Sequence, residues 1–274
     1  MCYVFYFISR NTFTVFLIIS ALVLLCIWIA WSLQSLFLPV IFSNPPTLSD
    51  RGQWGDSFGA LNALLSALAF VGVIATLWMQ QRQIRDAQHD QHIQRFESSF
   101  FELIRLFREA RDAVQFRYTE DYSILNNVTG KNNSLSSGLE AIRRANFEII
   151  WRIRRNTSLN SAPDRIRDIY ETSVFKRYES TTSPYFRLLY TILFRIKEDK
   201  VISAEEKRRY ANLFRSQLSS HEVALAGFNG LSPVSKDLGL LIEEFRLLKY
   251  LPDEFGRSFL AGCYSSQAFA DRPD

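Results

Sequence analysis

Glycine is scarce in this 274-residue chain, with 11 in all, and cysteine and histidine are scarcer, with three of each. The glycines form no phosphate-cradling loop and no nucleophile elbow, and no zinc-protease helix motif occurs. Cys2, Cys26 and Cys263 are scattered without pairing or metal-ligand spacing, which suits a reducing compartment for the soluble part. His89 and His92 share a helical face beside Asp90, within reach of a metal in principle, but residues so placed more commonly decorate an exposed linker helix. No nucleophile or metal centre can be named, so the sequence points away from an enzyme and implies neither cofactor nor metal. Alternating strand patterns are absent too, which leaves an all-α fold.

Charge is missing from two long stretches. From Asn11 to Ser49, and again from Ser57 to Gln81, there is no Asp, Glu, Lys or Arg. About 20 apolar residues cross a hydrocarbon core roughly 30 Å thick, so the expectation is a transmembrane hairpin over residues 1–81, with spans near 13–36 and 58–79. The first span exceeds the roughly 7 to 15 residues of a signal-peptide core, and no small-residue cleavage site follows it. Basic residues set orientation. Arg10 precedes the first span, Arg51 in the intervening loop faces Asp50 and Asp56, and Arg82, Arg85 and Arg95 follow the second. Both termini are therefore expected in the cytoplasm, with a short extracytoplasmic turn containing Pro45, Pro46 and Trp54.

The good helix formers from Gln80 to Gln94 predict that the second span continues unbroken as a helical linker, residues 82–97, into the soluble part. Beyond it Phe96, Phe100, Leu103, Phe107, Ala110 and Val114 recur at spacings of 3 and 4, the mark of a buried helical face. The polar stretch Thr119–Ser137 reads as a loop. Leu139, Ile142, Ile149 and Ile153 mark a helix, and Ile166, Ile169 and Val174 another. Ser183 and Pro184 read as N-cap and first residue of a further helix, Ser203 and Glu206 as a capping box opening a helix over 204–228, and a last helix runs from Lys236 to a stop at Pro252. The expected soluble domain is cytoplasmic and all-helical over 98–260, with a flexible tail over 261–274.

Three constellations stand out. Arg215, Glu222 and Asn229 are separated by seven, so on one helix they lie within about 40° of each other, at the edge of a stripe made by Phe214, Leu218 and Leu225. With Arg187 they are candidates for a partly buried polar network or switch, because a buried ion pair more often serves specificity than stability. Net charge is +4, and the whole surplus sits in the middle block: residues 139–177 hold 9 basic and 5 acidic residues, whereas 82–138 hold 8 of each and 178–274 hold 13 of each. Arg152, Arg154, Arg155, Arg165, Arg167, Lys176 and Arg177 form a candidate basic patch, either a solvated face or a surface for nucleic acid or anionic lipid. In the second span Gly55, Gly59, Ala63 and Ala67 make a small-residue stripe beside Asn62 and Ser66. Such a stripe lets helices pack closely, within one chain or between copies.

The residues Gly55-Asp56-Ser57-Phe58-Gly59, Phe96-Glu97, Phe100-Phe101-Glu102-Leu103 and Tyr185-Phe186-Arg187-Leu188-Leu189-Tyr190 belong to a recognisable set. It continues with Tyr210-Ala211-Asn212, Arg215-Ser216-Gln217-Leu218-Ser219, Glu222, Asn229-Gly230-Leu231 and Leu247-Leu248-Lys249. Over about residues 54–251 the chain resembles bacterial phage abortive infection proteins of the abortive-infection C type, which have two membrane helices, a polar helical linker and an all-helical domain. It departs from them in a shorter linker and in Gly138-Leu139-Glu140-Ala141, where the family has a Gly-Arg-Glu-Ala-like stretch. The resemblance implies a toxic effector in the bacterial inner membrane that kills or arrests infected cells by disrupting that membrane. The small-residue stripe adds the expectation of a homo-oligomer in the lipid bilayer; because related two-span proteins serve retrons, the resemblance further implies, as a partner, a reverse transcriptase with its RNA-linked DNA or another defence protein. The alternative reading is a membrane-tethered scaffold whose basic domain holds a nucleoprotein or partner enzyme.

Overall fold

Nothing between Gln80 and Gln94 breaks a helix, and in the computed structural model these residues lie inside one helix, α1, which runs from Leu48 to Ala113. The structure describes residues 48–155 and 163–271, with helical residues also at 22–23 and 26–27. The expected first span, near 13–36, lies outside the described residues except for those four. Among the described residues, α1 is the one helix long and apolar enough to cross a membrane. Its most apolar window has a mean hydropathy of 1.9, and none of that window is buried. The chain divides into two compact units at Gln83 and Ile84, against an expected boundary at 81.

The second unit is built around the C-terminal part of α1, where Phe96, Phe100, Ile104 and Phe107 recur at helical spacing and are buried. After Val114, β1 (Gln115–Phe116) pairs antiparallel with β2 (Ser136–Ser137). Between them lies α2 (Glu120–Leu125), where the Thr119 hydroxyl accepts the Tyr122 backbone N–H as N-cap. The expected loop over Thr119–Ser137 therefore contains a short helix and a strand, because Thr119 caps locally where residue pattern reports only polarity. Next come α3 (Gly138–Arg155) and α4 (Pro163–Tyr170), then a π-helical turn, Glu171–Phe175, that leads into α5 (Lys176–Glu198).

Pro184 lies within α5, and the break in helical geometry is instead at Tyr178, with φ −131° and ψ 26°. The expected start at Ser183 thus lies five residues beyond that break. The Thr181 and Thr182 hydroxyls donate to the Tyr178 carbonyl, and the Ser183 hydroxyl donates to Glu179. The polar run preceding the proline is the first turn of the regular helix.

A second departure concerns the expected helix over 204–228. It is two helices, α6 (Ala204–Arg215) and α7 (Ser220–Asn229), because Ser219 and Glu222 make a second capping box like that of Ser203 and Glu206. The last expected helix is also short. α8 covers Lys236–Glu244 and closes in a Schellman turn: the Leu247 N–H reaches the Ile242 carbonyl at 3.0 Å and the Arg246 N–H reaches Glu243 at 3.1 Å. Arg246 takes the left-handed conformation, φ 51°, that this turn requires.

Of the expected flexible tail, 261–274, the described residues 261–271 also pack on the domain. Leu260 in α9 (Arg257–Ala261) is buried, as is Ala268 in a 3₁₀ turn at Ser266–Phe269, and the Tyr264 hydroxyl donates to the Gly227 carbonyl at 2.7 Å. The described residues are overwhelmingly helical, as the absence of strand pattern implied. Aromatic contacts knit the core: Phe107 stacks on Tyr185 at 4.9 Å and meets Phe214 edge-on at 5.2 Å, joining α1, α5 and α6. Burying each such ring is worth roughly 1.5–3 kcal/mol.

Candidate functional site

The break between α6 and α7 changes what the polar residues can do together. Arg215 ends α6, and Glu222 belongs to the first turn of α7, so the seven-residue spacing does not place them on one helical face. Glu222 is wholly buried. Its Oε2 accepts the Ser219 backbone N–H at 2.8 Å, and its own N–H donates to Ser219 Oγ at 3.3 Å. Its Oε1 accepts the Tyr185 hydroxyl at 3.1 Å and lies 3.9 Å from Arg111 Nη1. Burial, and then the neighbouring Glu222 charge, push the Tyr185 hydroxyl far above the usual tyrosine range against the opposing pull of Arg111. The group ties α1, α5 and α7 together. Arg111 is the member that residue spacing missed: it sits one residue beyond Ala110 of the buried stripe, and nothing local marks it as facing inward.

Asn229 and Arg187 do come together. Both line a cavity of about 260 Å³ whose walls include Phe186, Tyr190 and Leu238. The Asn229 amide donates to the Tyr170 hydroxyl at 2.7 Å, while its buried Oδ1 has no hydrogen-bond partner among the described residues. Arg215 lies elsewhere. Its Nη1 donates to the Phe245 carbonyl at 3.2 Å, and its side chain lines a second cavity of about 370 Å³ between α6 and the end of α8. The four residues expected to form one network are therefore divided among a buried knot and two cavities.

The expected basic patch is divided as well. Arg152 turns inward, where its Nε meets the wholly buried Glu148 at 2.9 Å and its Nη2 donates to Thr119 Oγ1 at 2.7 Å. Thr119 completes that group with its N–H and hydroxyl on Glu148, at 3.0 and 2.7 Å. Arg177 donates to the Ser173 and Arg117 carbonyls and lies over the Phe116 and Tyr178 rings. Arg167 pairs with Asp164 at 2.8 Å. Arg154, Arg155, Arg165 and Lys176 remain exposed, with Arg155 over the Trp151 ring.

In α1, Gly59, Asn62, Ala63, Ser66 and Ala67 are exposed among the described residues. Gly55 belongs to the same helix. His92 is engaged by Asp199, Nε2 to Oδ2 at 2.9 Å.

Comparison with known families adds two findings. Residues 177–255 match the model of the family described as "Putative phage abortive infection protein", which meets the resemblance read from the residues and suggests a role in phage abortive infection. That stretch contains Glu222, the Schellman turn, the lining of the second cavity and, apart from Phe175, that of the first. Residues 51–107, all of them in α1, match the model of a family of unknown function. No curated protein and no solved structure matches the chain.

Proposed function

We propose, from the abortive-infection match over residues 177–255, that this chain is a membrane-anchored effector that kills or arrests phage-infected bacteria by disrupting the inner membrane. The supporting observation is that the matched region shares a chain with an uncovered apolar helix stretch of membrane-crossing length. The same helix, α1, carries that stretch and the buried Phe96–Phe107 face, so a change in the helical domain has a covalent route to the bilayer. The reading includes two spans with both termini cytoplasmic, and copies that associate through the Gly59, Ala63 and Ala67 stripe. Toxicity is held off until a phage cue binds one state of the helical domain more tightly than the other.

Membrane potential in bacteria expressing the chain, followed through phage challenge, tests this. Collapse before phage release is expected, and it should vanish in Ala63→Leu/Ala67→Leu while the helical domain still melts as in the parent. A potential that holds through infection in protected cells would remove the membrane lesion.

One observation favours the scaffold alternative. Arg154, Arg165 and Lys176 are exposed, and among the described residues none has a carboxylate partner. A nucleoprotein, such as a reverse transcriptase with RNA-linked DNA, would then be held at this face without toxicity, and cells expressing the chain with its partner would keep their potential throughout.

A further inference from the structure

The cavity that Asn229 and Arg187 share lies between two stretches of chain that the fold ties together. One wall is Phe175, the last residue of the π-helical turn, followed by residues of α5; the other is the end of α7 and the start of α8. Two hydrogen bonds join these walls: Asn229 Nδ2 to the Tyr170 hydroxyl at 2.7 Å, and the Ser232 hydroxyl to Glu171 at 2.9 Å. π-Helical turns are rare and frequently mark functional sites.

The lining grades from apolar and buried to charged and exposed. Phe186 and Leu238 are buried, Phe175 and Tyr190 are half-buried, and Glu179, Arg187 and Asp237 are exposed. Asn229 is only 1% exposed, and its Oδ1 has no donor among the described residues. A buried acceptor without a donor is costly, and Asn229 lines the cavity from which a donor can be supplied. Arg187 and Asp237 bring opposite charges to the same cavity, yet among the described residues neither side chain has a hydrogen bond or an ion pair. Glu179 accepts the Ser183 hydroxyl at 3.0 Å. A bound water satisfies the amide alone and leaves both charges and the apolar wall unused.

We infer that this cavity binds a free α-amino acid with an apolar side chain. Its ammonium supplies the donors that Asn229 Oδ1 and the Asp237 carboxylate lack. Its carboxylate pairs with Arg187, whose guanidinium fork matches two carboxylate oxygens, and its side chain lies against Phe186 and Leu238. At about 260 Å³ the space falls just under the roughly 300–1,000 Å³ usual for ligand sites, which sizes the ligand to one small molecule. The inference goes beyond the membrane-effector reading and stands whether or not that reading holds.

Calorimetric titration of the full-length chain in detergent tests it, with L-leucine and L-phenylalanine as probes, each beside its decarboxylated amine and its deaminated acid. Saturable binding of at least one amino acid is expected, with its amine and its acid each weaker by about ten-fold or more, the loss of one charge-assisted contact. Arg187→Gln should weaken the amino acid by a similar factor and abolish its preference over the amine, and Asp237→Asn should abolish its preference over the acid. Both side chains are exposed and unpartnered, so both variants should melt with the parent, which separates binding from folding. Arg154→Gln, in the exposed basic face of α3, should change affinity by less than about two-fold. Absence of saturable binding by both amino acids would overturn the assignment. So would an amine or an acid that binds as tightly as its amino acid, or binding indifferent to Arg187 and Asp237.

Discussion

At the scale of single residues, Glu222 and His221 sit side by side and answer to different forces. Glu222 has two donors and a nearby guanidinium around a wholly buried carboxyl. Glu222→Ala therefore removes the α7 capping box and strands the Tyr185 hydroxyl and Arg111 together. Breaking a buried pair from one side costs about 3–5 kcal/mol, and a urea midpoint should fall accordingly. Tyr185→Phe, which keeps the carboxyl and its cap, should cost only about 1 kcal/mol. His221 is half-buried between Phe147 and Phe255, with Nδ1 3.2 Å from the Asn146 amide nitrogen. Burial lowers its pKa below the usual 6.5, the Arg143 charge adds to this, and Glu140 and Glu254 oppose it. The unfolded chain then takes up the proton first. Stability is full above about pH 6.5 and declines as pH falls below it, levelling once the folded imidazole is also protonated. Urea midpoints at about pH 7.5 and pH 5.5 should differ less in His221→Gln than in the parent. Residue spacing singled out Glu222 but gave it the wrong company. The Ser-x-x-Glu signature that identified Ser203 recurs at Ser219, inside a pattern that reads as one continuous helix, and it alone carried the information that the helix breaks.

Two elements meet closely where α7 ends and α8 begins its second turn. A Cβ at Gly239 would lie 2.7 Å from the Gly230 carbonyl oxygen, a backbone atom that cannot swing aside. Gly239→Ala should therefore force the two helices apart and cost about 1–3 kcal/mol, the usual range for overpacking, despite alanine's better helix propensity. A thermal melt decides it, since an unchanged or raised midpoint would mean the crossing is loose. Helix existence was legible wherever apolar residues recur at 3 and 4, as from Phe96 to Phe107. Helix ends were less so, for physical reasons that differ by site. Pro184 sits inside α5 because side-chain hydroxyls before it already support a helical turn. α8 stops at Glu244 because a non-glycine residue adopts a left-handed conformation, and nothing in the identity of Arg246 announces that.

For the whole molecule, counting charge along the chain placed the surplus in residues 139–177, whereas folding spends Arg152 and Arg177 on internal partners and gathers cations from a neutral block around Arg215. Sequence order conceals this because the cavity draws on α5, α6 and the turn after α8 at once. The apolar stretch of α1 was readable directly, since membrane length and charge depletion are properties of a continuous run. What it means for folding can be tested by division at the boundary between the two units. Every described residue of the hydrophobic core lies at or beyond Phe96, and residues 84–274 form a unit of their own. Expressed alone, that segment should remain in the supernatant after membranes are sedimented and should unfold in one cooperative helical transition, because it keeps its core and loses the uncovered apolar run. It should leave cell growth and membrane potential untouched. Sedimentation with membranes would instead implicate a surface of the helical domain itself. Ile124, Leu125 and Leu135, exposed around α2, would be the first to exchange for serine, and release by that exchange would make the domain, rather than α1 alone, a membrane-binding element.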